Sequence, residues 1–131
     1  MITIALSKGR QYTDFIKYIE ERGITEWVEA LNKVTRELVV EAGDVRFLLV
    51  KGDDVPTYVS EGIAELGITG SDILMESEIN VNSLMDLPFG FCHFTIASTE
   101  AKKKYDVIAT KYVNYTRRYF DSIMQPVKII P

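Results

Sequence analysis

Ile2-Thr3-Ile4-Ala5-Leu6-Ser7-Lys8-Gly9-Arg10 is the stretch on which the fold turns. Ile2 to Leu6 is a short apolar run that reads as a buried strand, and Ser7 to Arg10 reads as the turn leaving it. A helix begins near Gln11, with Phe15, Ile16 and Ile19 on one face and Gly23 as its stop signal. A strand that feeds a helix through a turn with one glycine and two cations has the makings of an anion site. Gly9 lets backbone N–H groups approach an oxyanion, the helix start adds partial positive charge, and Lys8 and Arg10 add two full charges. The plainer reading competes with it: Lys8 and Arg10 solvate a loop.

Working outward, Ile24 to Leu31 is ambiguous, with Trp27 and Leu31 spaced as on a helical turn. Glu37 to Glu41 and Val45 to Val50 are β-rich and joined by Ala42-Gly43-Asp44, which predicts a hairpin and therefore a mixed sheet. Asp54 before Val55-Pro56 predicts a capped helix start. Val59, Ile63 and Leu66 extend that helix to just before Gly67. Leu66 to Thr69 then reads as a strand running into Gly70-Ser71-Asp72, with a helix carrying Ile73 and Leu74. This junction repeats the opening one, and strand C-termini are where open α/β sheets place ligands.

Leu87-Pro88-Phe89-Gly90 breaks the pattern and marks a boundary. Cys92 to Ser98 reads as an alternating strand, Lys102 to Lys104 as a solvated loop, and Val107 to Ala109 as a short strand. A last helix opens at Thr110-Lys111-Tyr112 with Asn114 as cap and Tyr119, Phe120 and Ile123 facing its core. Val127 to Ile130 is a final buried strand.

Of 131 residues, 47% are apolar and 26% charged, the balance of a globular protein with a real core. The net charge of −4 argues against a nonspecific nucleic-acid binder and leaves room for a local basic site. The single cysteine, Cys92, forms no internal disulfide and reads as a buried inert thiol; with His93 it makes no zinc site, and no set of residues reads as a metal site. With no cationic leader and no apolar run long enough for a bilayer, the expectation is a cytoplasmic protein, away from membranes.

Four motifs in order, ITIALSKGR, LLVKGDDVPTYVSEGIAELGITGSDIL, LPFGFC and IATKYVNYTRRYF, resemble the ATP phosphoribosyltransferase family in its short form, from Ile2 to Ile130. The resemblance implies an α/β fold of two lobes with mixed sheets, similar to type II periplasmic binding proteins. Residues 1–89 would form the first lobe, and residues 90–131 would begin a second that is incomplete. It implies joining N1 of ATP to the ribose C1 of phosphoribosyl pyrophosphate (PRPP), with pyrophosphate released and Mg²⁺ carried on the phosphates. It also implies homo- and hetero-oligomers with a regulatory subunit resembling a histidyl-tRNA synthetase. The other reading is a non-catalytic module that binds a nucleotide or phosphorylated ligand on the same lobe architecture.

By the resemblance, Arg10 and Arg36 are the catalytic cations on the departing pyrophosphate. Charge builds there in the transition state, and a guanidinium holds two phosphate oxygens at once. Without the resemblance, Arg36 reads as an edge-strand cation. Lys8, Gly9, Lys51, Asp54, Thr69, Gly70, Asp72 and Lys111 are the substrate-binding candidates. Asp54 has capping as its other reading, and Lys111 has surface solvation. The sequence departs from the family pattern with Lys51 where Arg is commoner, His93 where a basic residue often stands, and Val113 in place of proline. Nothing in it matches the acidic–threonine–glycine–threonine loop that holds the ribose phosphate of PRPP.

Overall fold

A computed structural model describes residues 1–100 and 104–131. Of the Lys102 to Lys104 run, Lys102 and Lys103 lie outside the described residues, and Lys104 is exposed. Strand β1 (Ile2–Ser7) leads into helix α1 (Arg10–Glu21), and α2 (Thr25–Asn32) follows. Next come β2 (Val39–Ala42), β3 (Val45–Val50), a 3-10 turn at Gly52–Asp54, α3 (Val55–Ser60), β4 (Leu66–Ile68) and α4 (Ser71–Ser77). Further along the chain come β5 (Val107–Ala109), α5 (Val113–Ser122) and β6 (Lys128–Ile130).

The first sheet has the order β2-β3-β1-β4. β1 pairs in parallel with β3 and β4, while β2 is antiparallel to β3, so the sheet is mixed as the hairpin predicts. A second sheet pairs β5 with β6 in parallel. Ile4, Leu6, Phe15, Ile19, Leu31, Ala42, Phe47 and Leu49 form the main core. Phe47 is its centre, meeting Phe15 at 6.1 Å and Trp27 at 5.3 Å edge-on, a geometry worth about 0.5–1.5 kcal/mol per pair beyond burial. The ambiguous segment at Ile24 to Leu31 is helical because Trp27 and Leu31 both turn into this core.

Several expectations need correction. β2 starts at Val39, not Glu37, because the Glu37 carboxylate takes the Thr35 and Arg36 N–H groups at 2.8 and 3.1 Å and folds that segment into a turn. α3 stops at Ser60 instead of reaching Leu66: Gly62 turns left-handed at φ 74°, and the Ile63 and Ala64 amides both return to the Tyr58 carbonyl. Ala64 is buried there, whereas Ile63 and Leu66 are exposed. Asp54 stands at the start of α3 but makes no capping hydrogen bond.

Cys92 to Ser98 is not a strand. All of residues 91–100 are exposed, so the alternation has no sheet to face, and Phe94 stacks on Tyr115 instead at 4.1 Å. Cys92 is exposed, not buried. Asn114 lies inside α5, not at its cap; only Phe120 of that helix is buried, with Tyr119 and Ile123 exposed. The final strand, Lys128–Ile130, is no buried strand: its pattern is exposed, half-buried, exposed.

Candidate functional site at the strand ends

Because β1, β3 and β4 run in parallel, their carboxyl ends share one edge of the sheet. Each strand ends and the chain turns there: Ser7-Lys8-Gly9 after β1, Lys51-Gly52 after β3, and Thr69-Gly70 after β4. Hydrogen bonds stitch the three ends together. Lys8 N–H donates to the Val50 carbonyl at 3.2 Å, and the Thr69 hydroxyl donates to the Gly52 carbonyl at 3.0 Å. Gly52 sits where a Cβ would come within 2.9 Å of Ser7 Oγ, so a side chain there would displace the Ser7 hydroxyl. Gly9 takes φ 89°, a backbone that lets β1 turn sharply into α1.

The antiparallel hairpin brings Arg36 to the same edge. Val39 pairs with Leu48, and Leu49 N–H reaches the Leu38 carbonyl at 2.7 Å, so the chain before β2 runs beside the end of β3. Arg36 therefore lies on the Lys51 side of the edge, while Arg10 opens α1 at the end of β1 two strands away. Lys8, Arg10, Arg36 and Lys51 are exposed. Among the described residues the ion pairs are Arg46 with Glu41 and Arg118 with Glu78, so internal carboxylates neutralise none of these four.

Asp72, in the first turn of α4, accepts the Tyr112 hydroxyl at 2.9 Å. Burial first, then that hydrogen bond and the charge of Asp72, push the Tyr112 phenol up to about 12. A cavity of about 240 Å³ opens beside this contact, lined by Asp53, Ile73, Glu76, Ser77, Lys111 and Tyr112. Lys111 lines this cavity with Asp53, and its ammonium lies 5.1 Å from the Tyr112 ring. Thr69, Gly70 and Asp72 meet at the β4 end, while Asp54 remains exposed and uses no capping bond. Among the described residues no group of three His, Cys, Asp or Glu side chains is placed to hold a metal ion.

Sequence reasoning passed over Gly52, Tyr112 and Glu76. Gly52 had a signal: Lys51-Gly52 after β3 repeats Lys8-Gly9 after β1. Tyr112 and Glu76 had none, because their partners lie about forty residues away in the chain.

This geometry defines the class: an open α/β protein with a crevice beside its strand ends and cations and glycines along the same sheet edge, where the connections leaving β1 and β3 run in opposite directions. Comparison with known proteins narrows it. The ATP phosphoribosyltransferase family model matches residues 51–131, and the chain belongs to that family. An ATP phosphoribosyltransferase of Staphylococcus carnosus is 48% identical across 99% of this chain and 64% of its own length. That of Staphylococcus saprophyticus is 45% identical over 93% of this chain and 60% of its own. A solved ATP phosphoribosyl transferase (HisG:HisZ) complex from Thermotoga maritima superposes with a TM-score of 0.72 at 27% identity, covering all of this chain and 64% of the other. The chain thus spans about two thirds of the length of the relatives it matches. Its fold class is the expected one, an α/β architecture with mixed sheets, of the type II periplasmic-binding-protein kind and covering part of it.

Proposed function

We propose that this chain is the catalytic chain of a short-form ATP phosphoribosyltransferase, the enzyme that opens histidine biosynthesis. It joins N1 of ATP to C1 of PRPP and releases pyrophosphate. The observation that carries this reading is the convergence of Lys8-Gly9-Arg10, Lys51-Gly52 and Thr69-Gly70 at one sheet edge in a member of that family. Arg10 and Arg36 hold the departing pyrophosphate, and the backbone at Gly9 and Gly52 lets its oxygens come close. Lys8, Lys51 and Lys111 supply further charge around the phosphates. Asp54, Thr69, Gly70 and Asp72 line the nucleotide side.

Mg²⁺ enters on the substrate phosphates as part of the substrate. Residues 1–89 make the first lobe and residues 90–131 contribute to the second, with the substrates between them. Because the solved neighbour is a complex, we pair this chain with a regulatory subunit and with further copies of itself, in the cytoplasm where its nucleotide substrates are made.

Pyrophosphate release from ATP, PRPP and Mg²⁺, measured with the regulatory subunit present, tests the reading. Turnover supports it, and nucleotide binding without turnover would make the chain a binding module instead. Arg10→Ala is expected to cost about 100- to 1,000-fold in kcat, the scale of losing one preorganised charge-stabilising donor, with nucleotide affinity changed far less. An equal loss of both would remove Arg10 from the transition state.

A further inference from the structure

Helix α5 begins without a cap of its own. Tyr112 occupies the N-cap position and makes no capping bond. The amides of Asn114 and Tyr115 are satisfied all the same: they donate to the two carboxylate oxygens of Glu76, at 3.0 Å to Oε2 and 2.9 Å to Oε1. Glu76 belongs to α4, and its own backbone carbonyl accepts Asn114 Nδ2 at 3.1 Å. A carboxylate astride two free N–H groups also meets the positive end of the helix dipole.

Two more contacts run along the same pair of helices. Asp72 accepts the Tyr112 hydroxyl at 2.9 Å before α5, and Arg118 reaches Glu78 at 3.1 Å and the Met75 carbonyl further on. α4 issues directly from Thr69-Gly70, so these bonds tie the start of α5 to a strand end of the first sheet. Lys111 and Tyr112 are the two residues immediately before that start.

We propose that Glu76 is a positioning residue: by capping α5 from α4 it seats Lys111 and Tyr112 against Asp53 and Asp72, and so fixes how the second sheet's cation reaches the strand-end crevice. What the crevice binds rests on the transferase reading above; the seating does not. The chemistry at position 76 is demanding. Two amides face two acceptor oxygens, so Gln supplies one acceptor and an unwanted donor, and Ala supplies neither.

The test is a pH titration of the whole chain with ¹³C-labelled tyrosine rings, followed by NMR. Tyr112 is the resonance lost in Tyr112→Phe, and burial with the Asp72 hydrogen bond pushes its phenol up to about 12 in the native chain. In Glu76→Ala it is expected to fall toward the ordinary tyrosine value of about 10, with Glu76→Gln between the two and the Tyr12 resonance unmoved. A Tyr112 titration unchanged in both variants overturns the proposal, and the Gln variant decides alone if the Ala variant does not fold. Inorganic pyrophosphate titrated into the same proteins separates the two readings. Native binding that weakens about tenfold in Glu76→Ala, the size of a lost helix cap, supports the positioning role. Unchanged affinity with a shifted Tyr112 overturns it. A native chain that takes no pyrophosphate counts against the transferase reading, and the Tyr112 titration still judges Glu76.

Discussion

At Gly67 a single added methyl has nowhere to go: a Cβ would lie 2.6 Å from Val55 Cγ1 and 2.8 Å from Val59 Cγ2. β-branched side chains on a helix have little rotameric freedom to yield. Gly67→Ala is therefore expected to destabilise by about 1–3 kcal/mol, the usual cost of overpacking, seen as a lower urea midpoint at unchanged slope. Glu65 offers a pH signature nearby. Its carboxylate accepts the Thr3 N–H at 2.7 Å, and that bond, with its own backbone N–H, holds it below the ordinary glutamate range. A depressed carboxylate stabilises the fold above its ordinary pKa, and the contribution is lost as pH falls through the folded value. Urea midpoints taken from about pH 6 down to about pH 3 should therefore fall less steeply in Glu65→Gln than in the native chain.

Among the elements, those with a self-contained signal were legible in the chain itself. β1 shows as an apolar run, α1 by Phe15 and Ile19 one turn apart with Gly23 as its stop, and the hairpin by its Gly43 turn. Elements decided by distant partners were not. Val59, Ile63 and Leu66 have helical spacing, yet Leu66 pairs with Ile4 in a strand and Gly62 ends α3 early. Residues 92–98 alternate like a strand, but among the described residues no neighbouring strand receives them. The same division holds at the site: Lys8, Gly9, Thr69 and Gly70 announce themselves as strand-to-helix turns, whereas Tyr112 enters through Asp72, forty residues away in the chain. The hairpin's contribution is measurable. Phe47 is fully buried between Phe15 and Trp27, so Phe47→Ala is expected to cost about 3–5 kcal/mol, checked by chemical denaturation.

Across the whole molecule, stability is unevenly distributed. Both buried clusters belong to the first sheet and its helices, while Phe120 is the one buried hydrophobic after residue 64 among the described residues. β5 and β6 make a two-stranded sheet, and two strands are marginal by themselves. Native-state hydrogen exchange is expected to show amides of β1 and β3 protected on the order of a hundredfold more than those of β5 and β6. Equal protection across both sheets would contradict this division.

The central place of β1 has a further consequence, for the order in which the protein takes shape. It leaves the ribosome before both of its neighbours, β3 at Val45–Val50 and β4 at Leu66–Ile68. Parallel pairing over such sequence distances is slow, because a long loop must close before any contact rewards it. Until residue 50 has emerged, Ile2 to Leu6 lack the strands that pair with them, and the apolar face of α1, with Phe15 and Ile19, is the earliest surface of the final core that they can meet.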